Sequence, residues 1–223
     1  YTKASDMSYL VDELSIFARV EQNDIPYHFI ELDLEQYFSD CLSDLSLDLE
    51  MKHIQLIYQN DCPSGTTVYA DPEQFRRVVG NILSNSVKYL NREDGEIRIH
   101  IRLQPLPPRA KPLYQQLDLE HIGLPSLNPP EQMIEISIWD NGPGVKEKDI
   151  SKLFKRFYRV DASRNSAKRG SGLGLAIVEK IVLAHGGKVW AESKPGEGLG
   201  IYMTLRQTDC ETRGGFYGKN IDS

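Results

Sequence analysis

Apolar residues recur along the chain at two different spacings, and the spacing changes from one segment to the next. Over residues 1–22 they return every three or four positions, which predicts one face of a helix; they are Met7, Leu10, Val11, Leu14 and Ala18. The same spacing predicts three more helices, at residues 34–50, 72–90 and 173–185. Asp71 before Pro72 supports the start of the second of these, because aspartate can cap free backbone N–H groups and proline suits the first helical turn.

Strand patterns interleave with these helices. The clearest runs from Glu96 to Leu103, where isoleucines alternate with polar side chains as in a half-buried strand. Shorter apolar runs predict strands at residues 29–32, 53–58, 67–70, 133–139, 188–192 and 199–205. Because strands and helices do not alternate strictly, we expect an α+β fold: a two-layer α/β sandwich with a mixed, mostly antiparallel sheet and helices on one face.

The predicted elements divide the chain into three parts. The breaker Asn23-Asp24-Ile25-Pro26 separates residues 1–24 from a main domain at residues 25–207, and residues 208–223 lack periodicity and are predicted to be a flexible tail. The first helix either packs on the main domain or forms one end of a coiled coil, and the pattern leaves both open. Residues 105–130 contain seven prolines and predict an irregular insertion, either disordered or a partner surface.

Composition narrows the class of protein. The formal net charge of -6 argues against a general nucleic-acid binder, which would usually carry a basic patch. No run approaches the roughly 18 apolar residues of a membrane span. The three cysteines form no C-x-x-C pair, which favours a reducing cytosol over a disulfide framework or a zinc site. Because the chain begins with Tyr1 rather than Met, we expect a fragment of a longer protein, whose other parts could include a membrane anchor.

A first candidate site lies on the predicted helix 72–90. Asn81 and Asn85 are one turn apart, and Lys88 and Tyr89 continue the same face. Asparagine is a poor residue for a helix interior, so two of them beside a lysine indicate a site. An amide oxygen is a hard ligand that suits Mg²⁺, and an ammonium group suits phosphate. A solvated polar face would explain the same residues, and the motif alone does not decide.

Two glycine-rich segments are further candidates. Asp140-Asn-Gly142-Pro-Gly144 follows a predicted strand; its glycines let the backbone approach a flat ligand, and its carboxylate can accept a hydrogen bond from an exocyclic amine. Residues 170–175, Gly-Ser-Gly-Leu-Gly-Leu, open a predicted helix whose N–H groups can cradle phosphate. Neither a P-loop nor a Rossmann fingerprint is present. A plain turn and a flexible loop remain open for the two segments taken singly.

The order of these motifs resembles the histidine-kinase ATPase family, whose nucleotide-binding Bergerat fold is shared with gyrase B, Hsp90 and MutL. The resemblance covers roughly residues 29–206. Residues 81–89 are similar to the family's N box, 140–144 to its G1 box, 153–159 to its F box and 170–175 to its G2 box, with residues 159–170 as the ATP lid. Residues 9–21 resemble the end of the second helix of a kinase dimerisation domain.

The resemblance implies roles for particular residues. Asn85 would hold Mg²⁺, Asp140 would recognise adenine, and the remaining candidates would lie near the nucleotide; these are Asn81, Lys88, Tyr89, Gly142, Gly144, Gly170, Gly172, Leu173, Gly174 and Leu175. It also implies the cofactors ATP and Mg²⁺. The γ-phosphoryl group would pass to a histidine of the chain's own dimerisation domain and then to an aspartate of a response-regulator receiver domain. The full-length protein would be a homodimer, with this domain in the cytoplasm and an anchor in the membrane.

The chain departs from the family in two respects. Residues 105–130 are longer than the hairpin loop expected there, and the phosphoacceptor is absent. The phosphoacceptor histidine should precede Glu or Asp, and none of the five histidines does: they are His28, His53, His100, His121 and His185. We therefore expect the acceptor on a helix outside this chain. Two rival functions stay in view, a hydrolytic ATPase of the gyrase, Hsp90 or MutL type and a nucleotide-gated module without catalysis. An ATPase would usually place a carboxylate on the asparagine helix, where this chain has Gly80, Ser84 and Ser86.

Overall fold

Strands and helices of the computed structural model follow the predicted order. The structure describes residues 11, 13–19, 22, 26–90, 94–105, 132–160 and 171–208, with the backbone alone at 44–48. The strands are β1 (Ile30–Asp33), β2 (Ile54–Asn60), β3 (Thr67–Ala70), β4 (Gly95–Pro105), β5 (Gln132–Asp140), β6 (Val189–Lys194) and β7 (Gly198–Arg206). The helices are α1 (Leu34–Met51), α2 (Pro72–Tyr89), α3 (Glu147–Ile150) and α4 (Gly174–Ala184). Residues 13–19 are also helical and are called the N-terminal helix below.

Five strands form one mixed sheet in the order β2-β4-β5-β7-β6. Only β2 and β4 run parallel within it, and the other neighbours are antiparallel. Along the β4–β5 pair the register runs from Ile97 opposite Asp140 to Pro105 opposite Gln132. β1 and β3 form a separate antiparallel pair, which a bridge between Val68 and Gln207 joins to the end of β7.

One face of the large sheet carries the hydrophobic core. Its side chains are fully or almost fully buried in three adjacent strands: Ile97, Ile99, Ile101, Ile134, Ile136, Ile138, Ile201, Met203 and Leu205. They share a core with apolar residues of α1, α2 and α4. Burying one such side chain stabilises the fold by about 1.5–3 kcal/mol. The opposite face carries partly exposed polar and aromatic groups such as Arg98 and Trp139. The expected two-layer sandwich, mostly antiparallel with helices on one face, is confirmed.

A buried histidine, His185, links the start of α2 to the end of α4. Asp71 caps α2 by accepting the N–H groups of Glu73 and Gln74, each at 3.0 Å. Its own N–H donates to Nε2 of His185, at the end of α4, over 3.0 Å. The other ring nitrogen, Nδ1, lies 2.7 Å from the Ile181 carbonyl oxygen, to which it donates. Asp71 therefore caps α2, as predicted, and also joins the start of this helix to His185.

The N-terminal helix presents a different face from the one its pattern emphasises. Val11 and Leu14 of the apolar stripe are 63% and 51% exposed, whereas Glu13 and Phe17 are buried. The short helix α3 was not predicted, because four residues are too few to show a helical period. Within the described part of the chain no helix is long and apolar enough to cross a membrane.

Some predicted segments fall wholly or partly outside the described residues. These are residues 1–10, the connection beyond Pro105, the lid beyond Val160 and the tail after Thr208. Thr208 itself is buried and donates its N–H to the Thr67 carbonyl at 2.9 Å.

Candidate functional site

A cavity of about 330 Å³ opens between α2, the loop after β5 and the start of α4. Most of the predicted site residues line it: Asn81, Asn85, Lys88, Tyr89, Asp140, Gly144, Gly172, Gly174 and Leu175. Two other predicted residues do not line the cavity. Gly142 donates a hydrogen bond to Asp140, and Leu173 is buried in the core. Gly170 lies outside the described residues. Three segments far apart in sequence therefore meet at one cavity.

Helix α2 contributes polar and apolar side chains to the cavity. Phe75 and Val78 are buried in the core, and Asn81 and Asn85 line the cavity as half-buried residues beside the buried Ile82. At the C-terminal end, the Lys88 ammonium group lies 5.3 Å from the centre of the Tyr89 ring. Amide oxygens and one ammonium group thus line the cavity along a single helix.

Asp140, the last residue of β5, is only 4% exposed at the base of the cavity. Its Oδ2 accepts the Ser86 hydroxyl at 2.8 Å and its Oδ1 accepts the Gly142 N–H at 3.0 Å. Burial raises the pKa of this carboxyl, while the Ser86, Gly142 and Leu199 donors lower it in part. The result is a largely desolvated acceptor whose orientation is fixed by donors on both oxygens.

The loop after Asp140 is fastened to the β6–β7 turn. The Pro143 carbonyl accepts the Gly196 N–H at 2.8 Å, and the Val145 N–H donates to the Ser193 hydroxyl at 2.7 Å. Gly144 has a φ of 65° in this loop. A Cβ there would stand 2.9 Å from the Gly198 carbonyl oxygen and closer still to that of Lys194. Glycine is therefore required by both backbone conformation and space.

The glycine loop at the start of α4 is held against the segment that precedes the predicted lid. Gly172 has a φ of 75°, and its carbonyl accepts the Phe157 N–H at 3.0 Å. A Cβ at Gly172 would lie 2.9 Å from Phe157 backbone atoms. Ser171 accepts the Leu173 N–H at 2.9 Å, and Gly174 and Leu175 of the first turn of α4, where N–H groups have no partner within a helix, line the cavity. Such a helix start suits an anion.

Several cavity residues were not among the predicted site residues, and Ser86 and Glu13 are two of them. Ser86 lies beside Asn85 and is buried. In the sequence, the only sign of its role is a serine within a predicted helix. Glu13 comes from the N-terminal helix, lines the cavity and accepts a hydrogen bond from Ser171. One turn later, Phe17 packs beneath the guanidinium group of Arg156, 5.0 Å from its ring centre. The i, i+4 spacing of Glu13 and Phe17 places them on one face of the helix, but it does not predict that this face packs beside the cavity.

The cavity offers two kinds of ligand chemistry. Asp140 is an acceptor for an amine, and Asn85 offers an amide oxygen suited to a hard cation such as Mg²⁺. Among the residues that the structure describes, His, Cys, Asp and Glu form no group of three that could hold a metal ion.

Comparison with known proteins agrees with this geometry. The family model "Histidine kinase-, DNA gyrase B-, and HSP90-like ATPase" matches residues 70–209. The chain is 30% identical over 199 residues to the sensor histidine kinase WalK of Bacillus subtilis (strain 168), covering 89% of this chain and 28% of that protein. It is 34% identical over 157 residues to the sensor protein kinase WalK of Staphylococcus aureus, covering 70% of this chain and 32% of that protein. It thus spans about a third or less of these curated relatives.

Solved structures share the fold. Full-length ShkA in complex with AMPPNP has a TM-score of 0.70 at 22% identity, covering 93% of this chain and 37% of that one. The catalytic domain of the histidine kinase ThkA has a TM-score of 0.58 at 21% identity, covering 80% and 95%.

Proposed function

The chain belongs to the family of histidine kinase-, DNA gyrase B- and HSP90-like ATPases, and on that premise we propose that it is the ATP-binding kinase domain of a two-component sensor histidine kinase. The observation that carries the proposal is the single cavity that joins Asp140, the asparagine face of α2 and the glycine loop before α4. Its two ends differ in chemistry, as a purine nucleotide requires: a desolvated acceptor at one end and helix N–H groups at the other.

In this proposal adenine lies at Asp140, whose carboxylate accepts a hydrogen bond from the exocyclic amine. The phosphates lie toward Gly172 and the first turn of α4, where backbone N–H groups and the helix dipole favour negative charge. Lys88 adds a positive charge to the wall of the same cavity. Gly174 and Asn81 are neighbours at this end, since a Cβ on Gly174 would stand in ordinary contact with the Asn81 amide oxygen, at 3.4 Å.

Mg²⁺ fits the donor set at the phosphate end. Asn85 would hold it through its amide oxygen, with water and phosphate oxygens completing the oxygen shell that this ion prefers. When bound, Mg²⁺ neutralises charge on the phosphates that develops during transfer. The contribution of this chain is to bind and orient the nucleotide and to exclude water from the base end of the cavity.

The acceptor and the partners follow from the same proposal. The γ-phosphoryl group passes to a histidine of the chain's own dimerisation domain and from there to a receiver-domain aspartate of a response regulator. The exposed stripe with Val11 and Leu14 supports a helical partner in a full-length homodimer. We place the domain in the cytoplasm, in a sensor anchored in the membrane. A kinase is favoured over a hydrolytic ATPase because α2 carries no acid at positions 80, 84 and 86.

Calorimetry with ATP tests the nucleotide site. Hydrogen bonds to charged groups contribute about 1.5–3 kcal/mol, so Asp140→Ala should weaken ATP binding roughly 10- to 100-fold. Asp61→Ala is the matched control, because Asp61 pairs with His100 on the opposite face of the sheet and should bind ATP as the wild type does. Unchanged affinity in Asp140→Ala would exclude this carboxylate from base recognition.

Labelled ATP tests the reaction itself. With a separately supplied dimerisation domain that carries the acceptor histidine, a kinase labels that domain. A hydrolytic ATPase releases phosphate without labelling it, and a regulatory module does neither.

A further inference from the structure

The hydroxyl of Ser86 is directed away from its own helix. A serine in a helix interior commonly bonds the carbonyl of the preceding turn. Ser86 is 4% exposed, and its Oγ instead donates to Oδ2 of Asp140, 54 residues further along the chain, at 2.8 Å. The contact joins α2 to the end of β5 at the base of the cavity. It is therefore a tertiary contact made by a site residue and not a local capping interaction.

The other oxygen of Asp140 is held equally firmly. Oδ1 accepts the Gly142 N–H at 3.0 Å, and a Cβ on Gly142 would stand 2.6 Å from that oxygen. The carboxylate therefore has a donor on each oxygen and little room to rotate. An ionised carboxylate offers about four lone-pair sites, so acceptor capacity remains after these donors are counted. Which way the remaining lone pairs point depends on these two donors and on Leu199, whose backbone also bonds this carboxyl group.

We propose that Ser86 is a positioning residue for base recognition: its hydroxyl holds the Asp140 carboxylate in the orientation that accepts the exocyclic amine of adenine. The inference rests on the proposed nucleotide-binding function and adds a determinant of base selectivity to it. Ser86 acts through Asp140 and not by touching the base. Without the Ser86 hydroxyl, Oδ2 loses this donor, and only the Gly142 and Leu199 donors limit rotation of the whole carboxylate about the Cβ–Cγ bond.

The alternative role for Ser86 is purely structural. A buried carboxylate costs stability unless it is hydrogen-bonded, and the hydroxyl could serve only that purpose. The two roles differ in what they predict for the base. A structural role affects all nucleotides alike, whereas a positioning role affects only a base that carries the exocyclic amine. Inosine nucleotides lack this amine and present a carbonyl oxygen in its place, which gains nothing from an oriented carboxylate.

The test compares Mg²⁺-ADP with Mg²⁺-IDP on the wild type and on Ser86→Ala by calorimetry. Loss of one hydrogen bond that orients the acceptor should weaken ADP binding about threefold to tenfold. IDP binding should change less than about twofold on the same scale. Retained IDP binding shows at the same time that the variant is folded. Equal losses for ADP and IDP, or no loss for either, overturn the proposal.

A second background makes the assignment specific. In Asp140→Ala there is no carboxylate to position, so adding Ser86→Ala should leave ADP affinity unchanged, and a further loss of threefold or more overturns the proposal. Failure of the underlying function looks different. A wild-type chain that binds neither nucleotide refutes nucleotide binding, and one that binds ADP and IDP equally refutes the adenine role of Asp140.

Discussion

Replacing Gly144 with alanine tests whether the loop after Asp140 is held by backbone packing. Gly144 and Gly65 have similar positive φ angles, 65° and 75°. At Gly65 an added Cβ would meet nothing within 4 Å, whereas at Gly144 it would press on the carbonyl oxygens of Lys194 and Gly198. The two alanine variants therefore share a conformational cost and differ in crowding.

The magnitudes follow from that difference. Left-handed backbone costs a non-glycine residue roughly 1 kcal/mol, which lowers the melting temperature of a domain of this size by about 2–4 °C. That is the expected change for Gly65→Ala. Gly144→Ala adds about 1–3 kcal/mol of overpacking, for a total near 2–4 kcal/mol and a fall of roughly 4–16 °C.

Thermal unfolding of the two variants, followed by far-ultraviolet circular dichroism at one scan rate, measures the difference. Equal shifts for Gly65→Ala and Gly144→Ala would refute the reasoning, because they would show that the Lys194 and Gly198 carbonyls yield without cost. A larger shift at Gly144 with wild-type nucleotide affinity would show that the loop relaxes without disturbing Asp140.

Two other perturbations probe different parts of the molecule. Burial lowers the pKa of His185 below its ordinary 6.5, so the unfolded chain gains a proton first as the pH falls. The free energy of unfolding should therefore drop between about pH 6.5 and the lowered pKa, by up to about 1.4 kcal/mol per pH unit. Urea midpoints of His185→Gln that fall with pH as steeply as those of the wild type would contradict this. Asn85→Ala should lose affinity for ATP only when Mg²⁺ is present, and titrations that match the wild type with and without Mg²⁺ would remove Asn85 from the metal site.

The parts of the site that were predictable are local in sequence. The one-turn spacing of Asn81 and Asn85 fixes a shared helical face, and a glycine-rich run before an apolar helix indicates a loop and a helix start wherever it occurs. The sheet was predictable for a similar reason, since the alternation around Ile99 already separates a buried from a solvated face. These inferences do not require knowledge of the tertiary contacts between helices and strands.

The parts that were missed depend on long-range packing. Ser86 reaches Asp140 only because α2 crosses the end of β5, and no period in the sequence encodes that crossing. Glu13 enters the cavity because Phe17, one turn away, is buried and the apolar stripe with Leu14 is not. A hydrophobicity pattern selects the apolar stripe as the buried face of the N-terminal helix, whereas the structure buries the face with Glu13 and Phe17.

The register of the β4–β5 pair has a consequence for how this domain can be altered. Asp140 pairs with Ile97 at one end, and the chain leaves the pair at Pro105 and Gln132 at the other, eight residues away, or roughly 27 Å. Residues 106–131 are thus attached at the far end of the sheet from the nucleotide cavity. The two attachment points, Pro105 and Gln132, are separated from the cavity by the length of a strand. The junction is a natural place to graft a fluorescent reporter or an extra domain without touching ATP binding.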